Sequence, residues 1–493
     1  MLFSELLSHT PYLTYNKIDV PVTHLTIDSR TARDGSLFFC IPGVKLNRRD
    51  FAPDAYRAGC RAFIAEEPLA IPSDAAVATV PSARLSLADI AAAFYGNPAQ
   101  ALTLIGVTGT KGKTTTAAYL TALLSAAGCR CGYIGSLGAT ANGSSVATAN
   151  TTPESLELLR LLSEMREAGV THVVLEISSQ SLSVGRVRGL RFPLVVLTGL
   201  GYDHVGAGEH ESLSEYIAAK RELLLYYRAA TVVYPKNAPH VSSLLSGIGA
   251  THFPVGFDTR SAVSAVTPDG QESDGDFLLR YGDDCYPVSL AARGRFNVTN
   301  AILASGAYRV LSDAGNAPPL PIALLANTLS ETRIPGHMAV YAAKGDRRFV
   351  IDYAHNGQSM AALLTRLRGL SPTRLTVLFG AIGEHSRARR AELGRVAAQY
   401  ADRAILTAED PGKESPEAIA AEIRAAMGRA DAVVIPDREE AVFTAVREAR
   451  EGETVALCGK GATAGQRIGN RTLPYSEEET LLRALDTYGL RIP

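Results

Sequence analysis

The residues with the plainest chemical purpose are Gly109-Thr110-Lys111-Gly112-Lys113-Thr114-Thr115. A glycine-rich turn running into a lysine and two threonines aims successive backbone N–H groups, and the positive end of the helix that follows, at one point. That point suits the phosphates of a nucleotide triphosphate. Lys113 is expected between the β- and γ-phosphates, and the hydroxyl of Thr114 or Thr115 on Mg²⁺. Gly109 and Gly112 let the backbone approach the anion with no Cβ in the way. The spacing is a short form of the motif, because Gly106 stands too far from Gly112 for the common one.

Other candidates stand at the ends of apolar runs. THVVLEISSQS carries Glu176 at its end, and FPLVVLTGLGYDH carries Asp203 and His204. Groups just past a parallel strand line the edge where open α/β sheets bind ligands. Glu176 is therefore expected to serve Mg²⁺, and His204 to be a metal ligand. Asn150-Thr151-Thr152-Pro153 reads as a helix start, with threonine as cap and proline in the first turn, and offers an anion site there. The donors of Asp28-Ser29-Arg30 suit a phosphate or sugar, although this segment alone reads better as a solvated turn. Lys220, in EYIAAKRELLLYY, reads by itself as a solvated surface lysine. In the last third Asp352, His355, Arg387, Arg389, Arg390, Glu409, Asp410 and Lys460 follow buried runs in turn, which favours a charged substrate cleft.

Positioning these groups takes alternating strands and helices, so the fold class is α/β. A chain of 493 residues is too long for one core. Breaks at Gly96-Asn97-Pro98 and Arg333-Ile334-Pro335-Gly336 divide it into domains 1–97, 98–333 and 334–493. The first has the strand-like THLTIDSR and GSLFFCIPG, the second opens on the phosphate loop, and the third is doubly wound.

With 46% hydrophobic residues, 20% charged and a net charge of −1, nothing points to nucleic acid or an anionic membrane. No signal-peptide pattern opens the chain, and no apolar run nears the roughly 18 residues that span a bilayer. The six cysteines are scattered, Cys129 and Cys131 having no second pair at zinc spacing. A cytoplasmic, monomeric enzyme of small anionic substrates is expected.

In order and spacing, GTKGKT, NTTP, EISS, DH, the YIAAK lysine, GRFNVTNA, IPGHM, DYAHNG and GKG resemble the Mur ligases over nearly the whole chain. The DSR and GSLFFCIPG region is similar to the uridine-nucleotide domain of the members that add the third residue of the peptidoglycan stem peptide. The resemblance implies a three-domain Mur ligase architecture, with a P-loop ATPase central domain and a Rossmann-like C-terminal domain binding the incoming amino acid. It implies ATP-dependent amide formation through an acyl phosphate, with the last domain closing so that amine rather than water reaches that intermediate. The substrates would be a UDP-N-acetylmuramoyl dipeptide and a diamino acid.

By the same resemblance Thr114 and Glu176 hold one Mg²⁺, and His204 helps hold a second with Lys220, carbamylated to carry a carboxylate. Ser29 contacts the uridine nucleotide. Thr151, Thr152, Ser178 and Arg186 contact the muramoyl dipeptide, and Asn297, Arg333, Asp352, Tyr353 and His355 line the ATP side. Arg389, Arg390, Glu409, Asp410 and Lys460 fall to the amino acid. The chain departs from the family pattern at Gly199, Gly206 and His337.

Members that add diaminopimelate carry Asp-Asn-Pro-Arg, whose arginine grips the distal carboxylate; here the stretch is Glu409-Asp410-Pro411-Gly412. Glu409 and Asp410 instead suit an ammonium, and Arg389 or Arg390 an α-carboxylate, so L-lysine is expected, with ornithine and diaminopimelate open. The competing readings are another amide ligase of the superfamily, of the folylpolyglutamate synthetase kind, and a protein that only senses ATP.

Overall fold

The apolar run before the glycine-rich turn forms strand Thr103–Thr108, in which Leu104, Ile105 and Val107 are all buried. A strand covered on both faces needs such a run. The computed structural model describes the chain except residues 44–46, 149, 201–211, 226, 228, 268–274, 385–386, 429–431, 464 and 493. Among the described residues, strand Thr103–Thr108 lies inside an eight-stranded sheet, between the parallel strands His172–Glu176 and Leu194–Leu197. Strands Thr231–Pro235 and Thr251–Val255 continue it on one side. Cys131–Gly135 continues it on the other, followed by the antiparallel Gly138–Ala141 and Ser144–Val146. The parallel strands therefore present the turns after Thr108, Glu176 and Leu197 on one edge.

Helix Lys113–Ala126 buries Ala117, Leu120, Leu123 and Leu124 and packs on helix Arg295–Asp313. This contact fixes the direction in which its first turn points.

The N-terminal region forms a five-stranded sheet in the order Thr14–Tyr15, Ala76–Thr79, Ala62–Ala65, Ser36–Phe39, His24–Thr26, parallel except for the first pair. Its helix Ala83–Phe94 buries Leu87 and Ile90 in an apolar cluster that also contains Leu158 and Leu162 of helix Ser155–Glu167. Ion pairs cross the same junction. Glu154 meets Arg84 across it at 2.7 Å and Arg186 on its own side at 3.0 Å, and Asp89 meets Arg188 across it at 3.0 Å. The N-terminal and central sheets consequently belong to one compact unit, which runs to Ser330 apart from Leu290–Gly294.

The second unit holds that short segment and the chain from Glu331 onward. Its sheet runs Ala339–Ala343, Arg347–Asp352, Thr454–Cys458, Leu375–Phe379, Arg403–Leu406, Val433–Val434, with only the first strand antiparallel. Strand Thr454–Cys458 comes late in the chain yet inserts between two earlier strands, so the turns after Asp352, Phe379, Leu406 and Cys458 leave one edge together. Apolar side chains cover both faces of this sheet. Among the described residues no helix is long and apolar enough to cross a membrane.

Candidate active site

The glycine-rich turn before helix Lys113–Ala126 uses its glycines where the backbone is left-handed or closely covered. Gly109 has φ +146° and Gly112 φ +83°, and both are closely overlain. A Cβ on Gly109 would stand 2.0 Å from Thr198 Oγ1, and one on Gly112 2.4 Å from Asn300 Oδ1. The Thr110 N–H donates to the Gly199 carbonyl at 2.9 Å, and the Thr198 hydroxyl donates to the Lys111 carbonyl. Lys113 arches over the turn, its ammonium donating to the carbonyls of Gly109 at 2.9 Å and Thr110 at 3.2 Å. Thr115 is buried on the first turn, while Thr114 faces the sheet edge.

Glu176 is wholly buried where its strand ends. It accepts from the Thr114 hydroxyl at 3.1 Å, from Tyr133, and from Ser136 through N–H at 3.2 Å and hydroxyl at 3.3 Å. A buried carboxylate beside a threonine hydroxyl at a phosphate loop is a hard-oxygen donor set that suits Mg²⁺. Among the described residues no group of three or more His, Cys, Asp or Glu is placed to hold a metal. Asp203 and His204 lie outside the described residues.

Lys220 corrects the reading of its segment as a surface helix. Its side chain is only 1% exposed. Its Nζ donates to Thr108 Oγ1 and to the Gly109 carbonyl, both at 3.2 Å, and lies 4.7 Å from the centre of the Tyr216 ring. Burial, and after it the charge of Lys113, holds its pKa well below the ordinary 10.5. Tyr216 in turn meets the Thr110 hydroxyl at 2.8 Å. The sequence reading passed over Tyr216, although its spacing from Lys220 puts both on one helix face.

The stretch at Thr151-Thr152 also departs from expectation. Helix Ser155–Glu167 starts later, with Glu154 at the N-cap and no side-chain cap. Thr152 is fully buried, its hydroxyl donating to the Glu176 carbonyl at 2.9 Å and accepting from the Ser178 N–H at 3.0 Å. It ties two sheet-edge turns together instead of capping the helix, and offers a substrate no exposed surface. Thr151 meets Ser136 Oγ at 3.1 Å. Ser178 caps the short helix Ser179–Ser183. Arg186 is committed to Glu154 and to the Thr152 carbonyl at 3.1 Å. Ser29 opens a half-buried turn braced by Asp28. A cleft of about 520 Å³ lined by Pro42, Ser82, Arg84, Leu182 and Arg188 opens where the N-terminal and central sheets meet. Asn297 is buried beside Asn300, at 3.3 Å, on the helix that backs the phosphate loop.

In the second unit, Asp352 ends its strand, accepting from the N–H groups of Met338 and Ala354 at 2.8 Å each. Tyr353 is 37% exposed, its ring 4.8 Å from His355 and 6.1 Å from His337. Arg333 donates to the Glu331 carbonyl at 3.0 Å.

Of the charged groups expected at the amino acid, Arg390, Lys460 and Asp410 are held in ion pairs. Arg390 is buried and bound to Glu414 at 2.9 Å and Glu422 at 3.0 Å, so it joins two helical segments and is no free anion site. Arg387 is exposed on the same helix, and Arg389 is half-buried there. Lys460, 1% exposed, holds Asp410 at 2.9 Å. Glu409 is 2% exposed, and burial raises its pKa to about 7 against the lowering effect of Arg438.

Arg438 was not singled out in the sequence. It makes a fully buried two-point pair with Glu477 and donates to the carbonyls of Ala408 and Cys458, bracing the ends of two sheet strands. A charged residue that opens a helix, as Arg438 does, carries no local signal that it will be buried.

Three family profiles match the chain: the Mur ligase family catalytic domain over residues 21–95, the Mur ligase middle domain over 107–308, and the Mur ligase glutamate ligase domain over 336–461. A relative from Geobacillus thermodenitrificans, named UDP-N-acetylmuramoyl-L-alanyl-D-glutamate--2,6-diaminopimelate ligase, is 32% identical over 97% of this chain and 98% of its own. A solved structure of a ligase of that name is 24% identical, with TM-score 0.63 and 99% of each chain covered. The Thermotoga maritima MurF ligase solved with ADP is 17% identical, with TM-score 0.61, covering 95% of this chain and 98% of its own.

Proposed function

Because this chain belongs to the Mur ligase family, we propose that it joins a diamino acid to a UDP-N-acetylmuramoyl dipeptide with ATP, as a third-residue ligase of peptidoglycan precursors. In the reaction a carboxylate of the dipeptide attacks the γ-phosphorus of ATP and ADP leaves. The amine then attacks the acyl carbon, releases inorganic phosphate and gives up a proton. The observation that carries this reading is the cluster of Lys113, Thr114, Glu176 and Lys220 around one glycine turn.

Each group has a role in it. The N–H groups of the loop and Lys113 orient and neutralise the phosphates. Thr114 and Glu176 would hold Mg²⁺, which when bound supplies further neutralisation there. Burial of Lys220 favours the neutral amine, the form that adds CO₂, and as a carbamate it would present an anion beside Thr108 and Gly109. The cleft between the N-terminal and central sheets is proposed for the uridine nucleotide.

For the amino acid, the expectation of L-lysine rested on the missing arginine at 412 and on Glu409 and Asp410 as carboxylates for an ammonium. One is buried and the other is bound to Lys460. The Geobacillus relative bears the name of a 2,6-diaminopimelate ligase. We therefore place 2,6-diaminopimelate first, and L-lysine second on the strength of the glycine at 412.

The test is ADP release by the full chain with Mg²⁺, ATP and the UDP-muramoyl dipeptide as each diamino acid is added. Release that no amino acid stimulates would refute the ligase reading. Carbon-13 NMR with labelled bicarbonate should show a carbamate signal that Lys220→Ala abolishes.

A further inference from the structure

Gly412 has no side chain, and another residue takes the space one would fill. Its backbone is left-handed at φ +58°, and a Cβ there would lie 2.8 Å from Arg467 Nη2 and 2.9 Å from Glu384 Oε2. Arg467 arrives on strand Gln466–Ile468. Its carbonyl accepts from the Gly412 N–H at 3.1 Å, and its own N–H donates to Asp410 Oδ1 at 2.7 Å. The guanidinium then meets the Glu384 carboxylate at 3.1 Å and the Gly383 carbonyl at 3.3 Å.

Glu384 follows strand Leu375–Phe379 at φ +60°, a backbone region that glutamate seldom occupies. The Gly383 N–H donates to the Asp410 carbonyl at 2.9 Å. Three segments are thus locked together at the sheet edge. They stand the Arg467 cation beside the Glu384 anion, with the side chains 38% and 28% exposed, while the Glu414 carboxylate that accepts from the Glu384 N–H is itself paired with Arg390. A solvated pair of this kind contributes little to stability. Placing it nevertheless takes an unsubstituted glycine and a strained glutamate, which is the pattern of a recognition element.

We infer that Arg467 and Glu384 form the specificity-determining pair for the far end of the incoming amino acid. The pair binds a zwitterionic centre there, its carboxylate on Arg467 and its ammonium on Glu384. This rests on the ligase reading above. A guanidinium beside a carboxylate complements an ammonium beside a carboxylate, which is the distal centre of 2,6-diaminopimelate. L-Lysine brings only the ammonium, and leaves Arg467 facing no anion of the substrate. The cation missing at position 412 is supplied by a different strand.

The test uses the full chain with saturating ATP, Mg²⁺ and UDP-muramoyl dipeptide, titrated with 2,6-diaminopimelate and, separately, L-lysine. The unsubstituted enzyme should show the lower KM for diaminopimelate. Arg467→Met should raise that KM about tenfold or more, as expected for loss of a charged hydrogen bond, with kcat changed by less than roughly threefold. The KM for lysine should not rise, and Arg467→Lys should recover part of the loss. An unchanged KM for diaminopimelate, or equal changes for both amino acids, overturns the inference. If lysine but not diaminopimelate stimulates ADP release, the inference falls while the ligase reading stands. If neither does, nor ornithine, both fall.

Discussion

At Glu409 the protein holds a carboxyl group where water does not reach, and burial outweighs the nearby Arg438 in setting its pKa at about 7. The ordinary value is 4.5, so between 4.5 and 7 the folded chain binds more proton at this site than the unfolded chain does. The stabilisation is complete below 4.5 and disappears as the pH rises through 7. Glu409→Gln removes the titration. Its stability relative to the unsubstituted protein should therefore improve steadily as pH rises across that window, read as the difference between two denaturation curves at each pH. A difference independent of pH would mean that the carboxyl is not held in this way. Lys220 obeys the same physics with the opposite charge, since burial favours its neutral form. Neither displacement is visible in the local sequence, because each depends on what packs over the residue.

The glycine-rich turn shows how the function proposed for an element rests on close approach. Gly109→Ala places a methyl group 2.0 Å from Thr198 Oγ1 and 3.0 Å from the Gly199 carbonyl, at a φ that alanine avoids. Gly128 also has a positive φ, +83°, but open space around it. Gly109→Ala is expected to reduce acceptor-dependent ADP release by about 10² or more, by misaligning the phosphate donors. Gly128→Ala should cost about 1 kcal/mol of stability and leave turnover intact. A Gly109→Ala enzyme with unaltered kcat and KM for ATP would show that the loop does not cradle the phosphates. This element was the most legible part of the chain. Strand, turn and helix signals are local, and the hydrogen-bonding needs of an anion leave few sequences that satisfy them.

On the scale of the whole molecule, the break at Gly96-Asn97-Pro98 is a tight turn and not a loose tether. Asn97 takes the left-handed conformation, and the apolar cluster continues across the junction. Glu154 serves two arginines there, Arg84 from the N-terminal region and Arg186 from the central one. Glu154→Gln should lower the stability of this unit by about 1.5–3 kcal/mol, the usual worth of hydrogen bonds to a charged group, read from denaturant unfolding. A loss below about 0.5 kcal/mol would place the triad among solvated surface pairs.

The α/β class, the strand, glycine-rich turn and helix at 103–126, and the strand-end position of Glu176 were all readable from the amino acids alone. Periodicity and glycine placement act over a few neighbouring residues. The burial of Lys220, the withdrawal of Thr152 and Arg390 into the scaffold, and the arrival of Arg467 over Gly412 were not readable. Each joins segments far apart in the chain, and whether a charge ends up paired, buried or offered to a substrate depends on which strand the sheet order sets beside it.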